Sequence, residues 1–249
     1  METMIKTQNL SRSFRTNEIS ILVIDDLSFT TCKGEFTVIM GNSGSGKSTL
    51  LYLLSGLDKA SSGTIWIDGF PVHDRSEKEL ARFRQRKVGF VFQDNNLIPN
   101  LTIKENILVA GYLVDQDNNS ISQRIDLLLN EFGIRALSQR LPSQVSGGEL
   151  QRCAIARAII NNPSVIMADE PTGSLNSEAS ERVLDCFTEL HSKGQSILMA
   201  THDLKSALRG DKVLFFRDGK IVNSRITDKT NDPLAEEQAL FNWLKKQGW

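Results

Sequence analysis

One short stretch constrains this chain more than any other. The apolar, partly β-branched run Phe36–Met40 leads into Gly41, Asn42, Ser43, Gly44, Ser45, Gly46, Lys47 and Ser48, and then into Thr49-Leu50-Leu51-Tyr52-Leu53-Leu54. Strand-length run, glycine-rich loop and helix-patterned run follow in that order, and the loop fits the pattern G-x-x-x-x-G-K-[ST]. Glycine lets the backbone curl until several N–H groups converge on a small volume. Such a loop, ahead of a helix N-terminus, holds a cluster of anionic oxygens, typically the phosphates of a nucleotide. Lys47 would then reach the β- and γ-phosphates, and the Ser48 hydroxyl would hold Mg²⁺. A flexible Gly/Ser surface loop is the bland alternative, and the flanking strand and helix patterns argue against it.

Three further apolar runs of strand length occur at 88–92, 164–168 and 196–200. Helix-patterned segments separate them, which predicts a parallel α/β sheet with strands buried on both faces. A polar residue follows each run: Gln93 after the first, Asp169 and Glu170 after the second, Thr201 and His202 after the third. Ligands of open α/β sheets sit beyond the carboxyl ends of the strands, so these positions predict one shared site with the phosphate loop. Asp68-Gly69 and Asp218-Gly219 predict two hairpins, because Asp-Gly suits the tight turn. Between Gln93 and Asn161 the pattern is mostly helical, with apolar spacing over 121–132 and 149–160. From Thr227 the chain is polar, apart from a short amphipathic run at 239–244 that is expected to pack on its own domain.

Bulk properties exclude some classes. The 249 residues carry a formal net charge of −1, which argues against a nucleic-acid binder relying on overall basicity. Cys32, Cys153 and Cys186 are widely spaced without a C-x-x-C pair, and read as structural thiols of a reducing compartment. No signal peptide and no membrane span of about 18 apolar residues is expected, so service to a membrane would run through a partner.

Asp169-Glu170 at a strand end suits a magnesium site with a neighbouring carboxylate turned toward an attacking water, although paired acids at a strand end are also commonly just solvated. Ser146-Gly147-Gly148-Glu149 opens the 150–160 helix pattern as a second anion-binding end, or as an ordinary helix cap. The basic run Arg82, Arg84, Arg86 and Lys87 reads as a solvated helix face or a lipid-headgroup patch.

Residues 41–49, Gln93, 145–149, 165–170 and His202 occur in the order and spacing of ATP-binding cassette (ABC) ATPases, and the resemblance covers about residues 4 to 225. It implies a P-loop NTPase core with a mixed, mainly parallel sheet, an N-terminal antiparallel β subdomain and an inserted helical subdomain at about 94–160, with a tail at 226–249. It implies ATP and Mg²⁺ as cofactors. By the same resemblance Phe14 stacks on adenine, where the residues alone leave an edge or core aromatic open. Glu170 is the general base, with Lys47, Gln93 and His202 also catalytic; His202 contacts the γ-phosphate. Ser48, Gln93 and Asp169 surround the metal. Ser146, Gly147, Gly148 and Glu149 bind the ATP held by a second copy.

Two copies turned head-to-tail would trap two ATP molecules between them as an isologous homodimer. The resemblance further implies a separate multi-span permease, docked where 95–103 helps form a groove, and a peripheral location on the cytoplasmic face of the plasma membrane. No nucleic acid is expected. Glu149, where glutamine is commonest, is similar to the branch of lipoprotein-releasing, macrolide-efflux and peptide-antibiotic-resistance ATPases. Asn176 stands where most relatives have aspartate. Asn176, 194–203 and the closing Trp243-Leu244…Gly248-Trp249 look most like bacitracin-type resistance exporters, which implies removal of antimicrobial peptides. Lipoprotein release, macrolide efflux or a regulatory membrane ATPase are the alternatives, and a soluble cassette acting on nucleic acid is a more distant one.

Overall fold

The computed structural model describes residues 2–16, 19–114, 117–229 and 232–249. In chain order the strands and helices are β1 (Thr3–Thr16), β2 (Ile19–Cys32), β3 (Phe36–Met40), α1 (Lys47–Leu54), β4 (Ser62–Ile67), β5 (Phe70–Pro71), α2 (Glu77–Lys87), β6 (Val88–Val91), α3 (Ile103–Tyr112), α4 (Asn118–Glu131), α5 (Gly147–Ile159), β7 (Val165–Asp169), α6 (Ser177–Ser192), β8 (Ser196–Thr201), α7 (Leu204–Leu208), β9 (Lys212–Arg217), β10 (Lys220–Ile226) and α8 (Pro233–Lys246). The expected α/β fold with a mixed, mainly parallel sheet and an antiparallel N-terminal sheet is what forms.

Six strands make the central sheet in the order β10-β9-β3-β8-β7-β6. All are parallel except β10, which returns antiparallel along β9. Alternation along each strand decides which layer a side chain enters. Phe36, Val38 and Met40 of β3, and Ile197 and Met199 of β8, pack with α3 to α6 and α8. Ile39, Leu198 and Ala200 face the other way, into a second core shared with α1, α2 and the antiparallel sheet. Because both faces are covered, these strands read as continuous apolar runs.

The antiparallel sheet has the order β2-β1-β4-β5. Its long first hairpin pairs Thr3 with Cys32 and Thr16 with Ile19, and several bulges interrupt the register. Those bulges break the period-two pattern, so the length of these strands could not be read beforehand. Both Asp-Gly hairpins form. Asp68 and Gly69 have φ of 48° and 75°, and Asp218 and Gly219 have 50° and 78°, the paired positive values of the expected turn.

Element boundaries shift where caps act. Asp169 is the last residue of β7 and not a residue beyond it, because the strand continues pairing with β8 to Ala200. Helix α5 starts at Gly147, since Ser146 caps it reciprocally with Glu149. The tail helix is longer than the 239–244 run. Asp232 caps it with Pro233 in the first turn, and Gly248 at φ 87° stops it. It packs on its own chain, with Leu240 and Leu244 fully buried. The basic run of α2 is partly consumed internally. Arg84 donates to the Gly56 carbonyl at 2.6 Å and pairs with Glu77, and Lys87 lies 2.7 Å from Asp68.

Candidate active site

Strand β3 delivers the chain into the phosphate loop at the middle of the central sheet. Gly41 must be glycine here: a Cβ would lie 2.1 Å from the Phe216 carbonyl oxygen on β9. Gly46, at φ 103°, is the residue before α1, and a Cβ there would come within 3.0 Å of the Val23 carbonyl. These contacts wedge the loop between β9 and β2. Lys47 bends back inside the curl. Its ammonium donates to the carbonyls of Gly41 at 2.8 Å and Asn42 at 3.0 Å, and only 4% of the residue is exposed. The buried charge is met by the Glu170 carboxylate at 3.6 Å. A cation held in a ring of backbone groups at a helix N-terminus is an anion receptor.

The neighbouring strands supply the rest. Strand β8 lies between β3 and β7, so the residues that follow all three emerge side by side. The Glu170 amide donates to the Ala200 carbonyl at 2.9 Å, which locks the end of β7 against β8. Glu170 sits at φ 43°, a left-handed conformation that costs a non-glycine residue about 1–3 kcal/mol. That geometry puts its Oε2 2.7 Å from His202 Nδ1, while its Oε1 faces Lys47. A Cβ on Gly173 would stand 3.3 Å from Gln93 Nε2 and 3.5 Å from Glu170 Oε2, so Gln93 and Glu170 share the space beside that glycine. Asp169 is buried and accepts a 3.0 Å hydrogen bond from the Ser48 hydroxyl. Burial pushes its carboxyl above the usual range, and the Glu170 charge adds to this against the opposing Ser48 hydrogen bond.

Together these groups line a cleft of about 720 Å³. Asn42, Ser43, Gly44, Gly46, Lys47, Ser48, Thr49, Gln93, Glu170 and His202 are on its wall. Asp169 reaches it through Ser48. Gly41 is tucked against β9, and the Ser45 carbonyl is taken by the Gly219 amide at 3.2 Å. Val23 and Trp249 also line the cleft, and sequence reasoning named neither as a site residue. The available signal for Trp249 was a Gly-aromatic pair just after an amphipathic run.

The remaining candidates lie elsewhere on the chain. Ser146 and Glu149 bind one another, with the Ser146 amide and hydroxyl each donating to Glu149 Oε2 at 2.7 Å. These hydrogen bonds hold the Glu149 carboxyl below the usual range. Gly148 is required by packing, since a Cβ would meet that of Ala179 on α6 at 2.9 Å. Asn176 spends its side chain on its own helix, accepting from the Ala179 amide at 2.9 Å. Phe14 is 39% exposed, pairs with Ile21 two residues before Val23, and carries the Arg12 guanidinium 4.3 Å over its ring.

This combination of fold and cleft is that of a nucleotide-hydrolysing cassette. The family described as "ABC transporter" matches residues 24–173. The chain is 41% identical over 222 residues to the lipoprotein-releasing system ATP-binding protein LolD of Aquifex aeolicus (strain VF5), covering 89% of this chain and 97% of that protein. It is 35% identical over 247 residues to the macrolide export ATP-binding/permease protein MacB of Neisseria meningitidis serogroup A, covering 99% of this chain but only 38% of that longer protein. A dimeric structure of a post-hydrolysis state of the ATP-binding cassette MJ0796, bound to ADP and Pi, superposes with a TM-score of 0.84 at 34% identity over 90% of this chain and 98% of that one. The chain belongs to the ABC transporter family. It is an ATPase subunit of that family, binding and hydrolysing ATP.

Proposed function

We propose that the chain works as an ATP-driven homodimer that moves a separate membrane permease. The observation that carries the chemistry is the position of Glu170 between Lys47 and His202 on the wall of the phosphate-loop cleft. In this reading the loop amides and the Lys47 ammonium stabilise charge on the transferred phosphoryl group. Glu170 orients or deprotonates the attacking water. His202 keeps Glu170 in place and would contact the γ-phosphate.

Magnesium suits the donors present. The Ser48 hydroxyl, the Asp169 carboxylate and the Gln93 amide are hard oxygen groups. Among the described residues no three acidic, histidine or cysteine groups cluster to hold a metal alone. A magnesium ion held by these groups would supply charge neutralisation to the bound phosphates.

The second copy enters through the start of α5. Its Ser146 hydroxyl and its Ser146 and Gly148 amides would meet the γ-phosphate held in the first copy's cleft. The dimeric state of the MJ0796 cassette supports this assembly. For the permease, a cavity of about 440 Å³ lies between α2, α3, α5 and β6, lined among others by Arg84, Phe90, Phe92, Leu113 and Arg157. Gln151 donates to the Phe92 carbonyl at 3.0 Å, and Arg157 to the Asn95 and Asn96 carbonyls at 2.5 and 2.6 Å. These bonds tie the groove to the segment carrying Gln93, so a closing cleft would move whatever helix sits there. No helix among the described residues is long and apolar enough to cross a membrane. Docking on the permease would hold the chain at the cytoplasmic face.

Lipoprotein release and macrolide export by the relatives favour an amphiphilic cargo handled at the membrane. Antimicrobial peptides fit that class, and the resemblance of Asn176 and the closing tryptophans supports them. The test is Glu170→Gln. Turnover should fall about 10²- to 10⁴-fold with ATP binding retained and a long-lived ATP dimer on gel filtration. Hydrolysis at the wild-type rate would remove Glu170 from the chemistry.

A further inference from the structure

Trp249 lines the ATP cleft, although it follows a helix outside the phosphate-loop core. Its placement is built. Gly248 adopts φ 87°, its amide donates to the Lys245 carbonyl at 3.1 Å, and the Trp249 amide donates to the Leu244 carbonyl at 3.2 Å. These two crossed bonds close α8 with a Schellman turn, which fixes the direction of the residue after the glycine. The Trp249 ring stands edge-on to Phe241 at 6.1 Å.

Helix α8 is itself immobilised on the sheet. Leu240 and Leu244 are fully buried, and Trp243 meets Phe215 of β9 at 6.4 Å. The buried Glu236 accepts two hydrogen bonds from Arg225 at 2.6 and 2.7 Å. At the far end Arg217 donates to the Gln247 carbonyl at 2.8 Å, and Asn223 to the Gln247 side chain at 3.2 Å. Arg217 directly follows Phe216, whose carbonyl abuts Gly41. The end of α8 is therefore tied to the strand that wedges the start of the phosphate loop, where the Lys47 ammonium is held.

We propose that Trp249 is a nucleotide-contacting residue: α8 completes the ATP pocket beside the phosphate loop, with the indole against the terminal phosphate end of the bound triphosphate. This rests on the ATPase reading of the cleft. An indole offers one N–H donor and a flat apolar face, and no acceptor that would repel phosphate oxygens. The rest of this wall is backbone, hydroxyl, amide, carboxylate, imidazole, ammonium and the aliphatic Val23, so among the described residues Trp249 is the one Phe, Tyr or Trp on it. Held by main-chain bonds, it needs little ordering when ATP arrives, which favours contact over a loose tail.

The test uses the full chain. In a Trp66→Phe, Trp243→Phe background, Trp249 is the remaining tryptophan. Saturating ATP should shift or quench its emission, with occupancy measured separately by retained radiolabelled ATP. Trp249→Ala should weaken ATP binding by about threefold to tenfold and ADP binding by less than twofold, with Trp249→Phe in between. Unchanged emission at full occupancy, or wild-type ATP affinity in Trp249→Ala, overturns the proposal. So does an equal loss for ATP and ADP, which would mark a structural role for α8. If the wild-type chain retains no ATP, the ATPase reading fails instead, and the two failures are distinguished.

Discussion

The phosphate loop and the start of α5 are both helix N-terminal ends, yet they are finished to different degrees. At the loop one chain supplies almost everything: the curl, a buried Lys47, a carboxylate facing it, and Glu170 paired with His202. At α5 the Ser146 donors are turned onto the chain's own Glu149 carboxylate. One site is assembled inside the fold. The other is a surface cap whose Ser146 donors are in use within the chain. The difference teaches what a second copy would add under the proposed function. In the proposed dimer, a half-site that is satisfied alone would meet the phosphate presented by another copy, and closure would then be conditional on ATP.

Substitutions at the two ends separate their roles. Lys47→Ala should be the most severe, because it removes the buried cation around which the loop closes. ATP affinity should drop by about 10²-fold or more, read by equilibrium binding on the monomer. Near-normal affinity in that variant would erase the contrast. Ser146→Ala should leave monomer ATP binding within about twofold, while the ATP dimer trapped in a Glu170→Gln background is lost by size-exclusion chromatography. The missing cap alone would cost about 1 kcal/mol of stability. If Ser146→Ala dimerised as well as its parent, α5 would be only a capped surface helix.

Smaller changes sharpen the comparison. Glu149→Gln keeps a capping side chain but removes a negative charge from the place proposed for the partner's γ-phosphate. The ATP concentration for half-maximal dimerisation should fall by about threefold at low salt, and the gain should shrink in 0.5 M salt, a concentration of the order that screens exposed charges within a few ångströms. An unchanged midpoint would mean that Glu149 swings clear before closure. Phe14→Ala should have the least effect, about twofold to fivefold weaker ATP binding with poorer discrimination against GTP, measured by competition. Identical competition curves would return Phe14 to a plain edge aromatic under Arg12.

Parts of this architecture were legible because local physics and global fold agree. Each buried parallel strand is a short apolar run, and both Asp-Gly pairs take the positive φ values that their chemistry permits. The grouping of Gln93, Glu170 and His202 around the loop followed from strand-end positions, which needed only the parallel order. The long β1–β2 hairpin was less legible, because bulges near Leu10 and Arg12 destroy its alternation. The arginines of α2 looked like a free basic face until Glu77, the Gly56 carbonyl and Asp68 were seen to occupy Arg84 and Lys87.

Sequence alone determined that a phosphate loop sits between a strand and a helix, that the sheet is mainly parallel, and that a carboxylate pair ends a neighbouring strand. Each follows from short local patterns and their order along the chain, since residue type dictates local backbone conformation and alternating strands and helices favour a parallel sheet. Only the tertiary structure decided that Glu170 bridges Lys47 and His202, that Glu149 occupies the donors of Ser146, and that Trp249 joins the cleft. Lys47 and Glu170, or Trp249 and the loop it faces, are far apart along the chain. Such contacts depend on how strands order and helices dock, which no local pattern encodes.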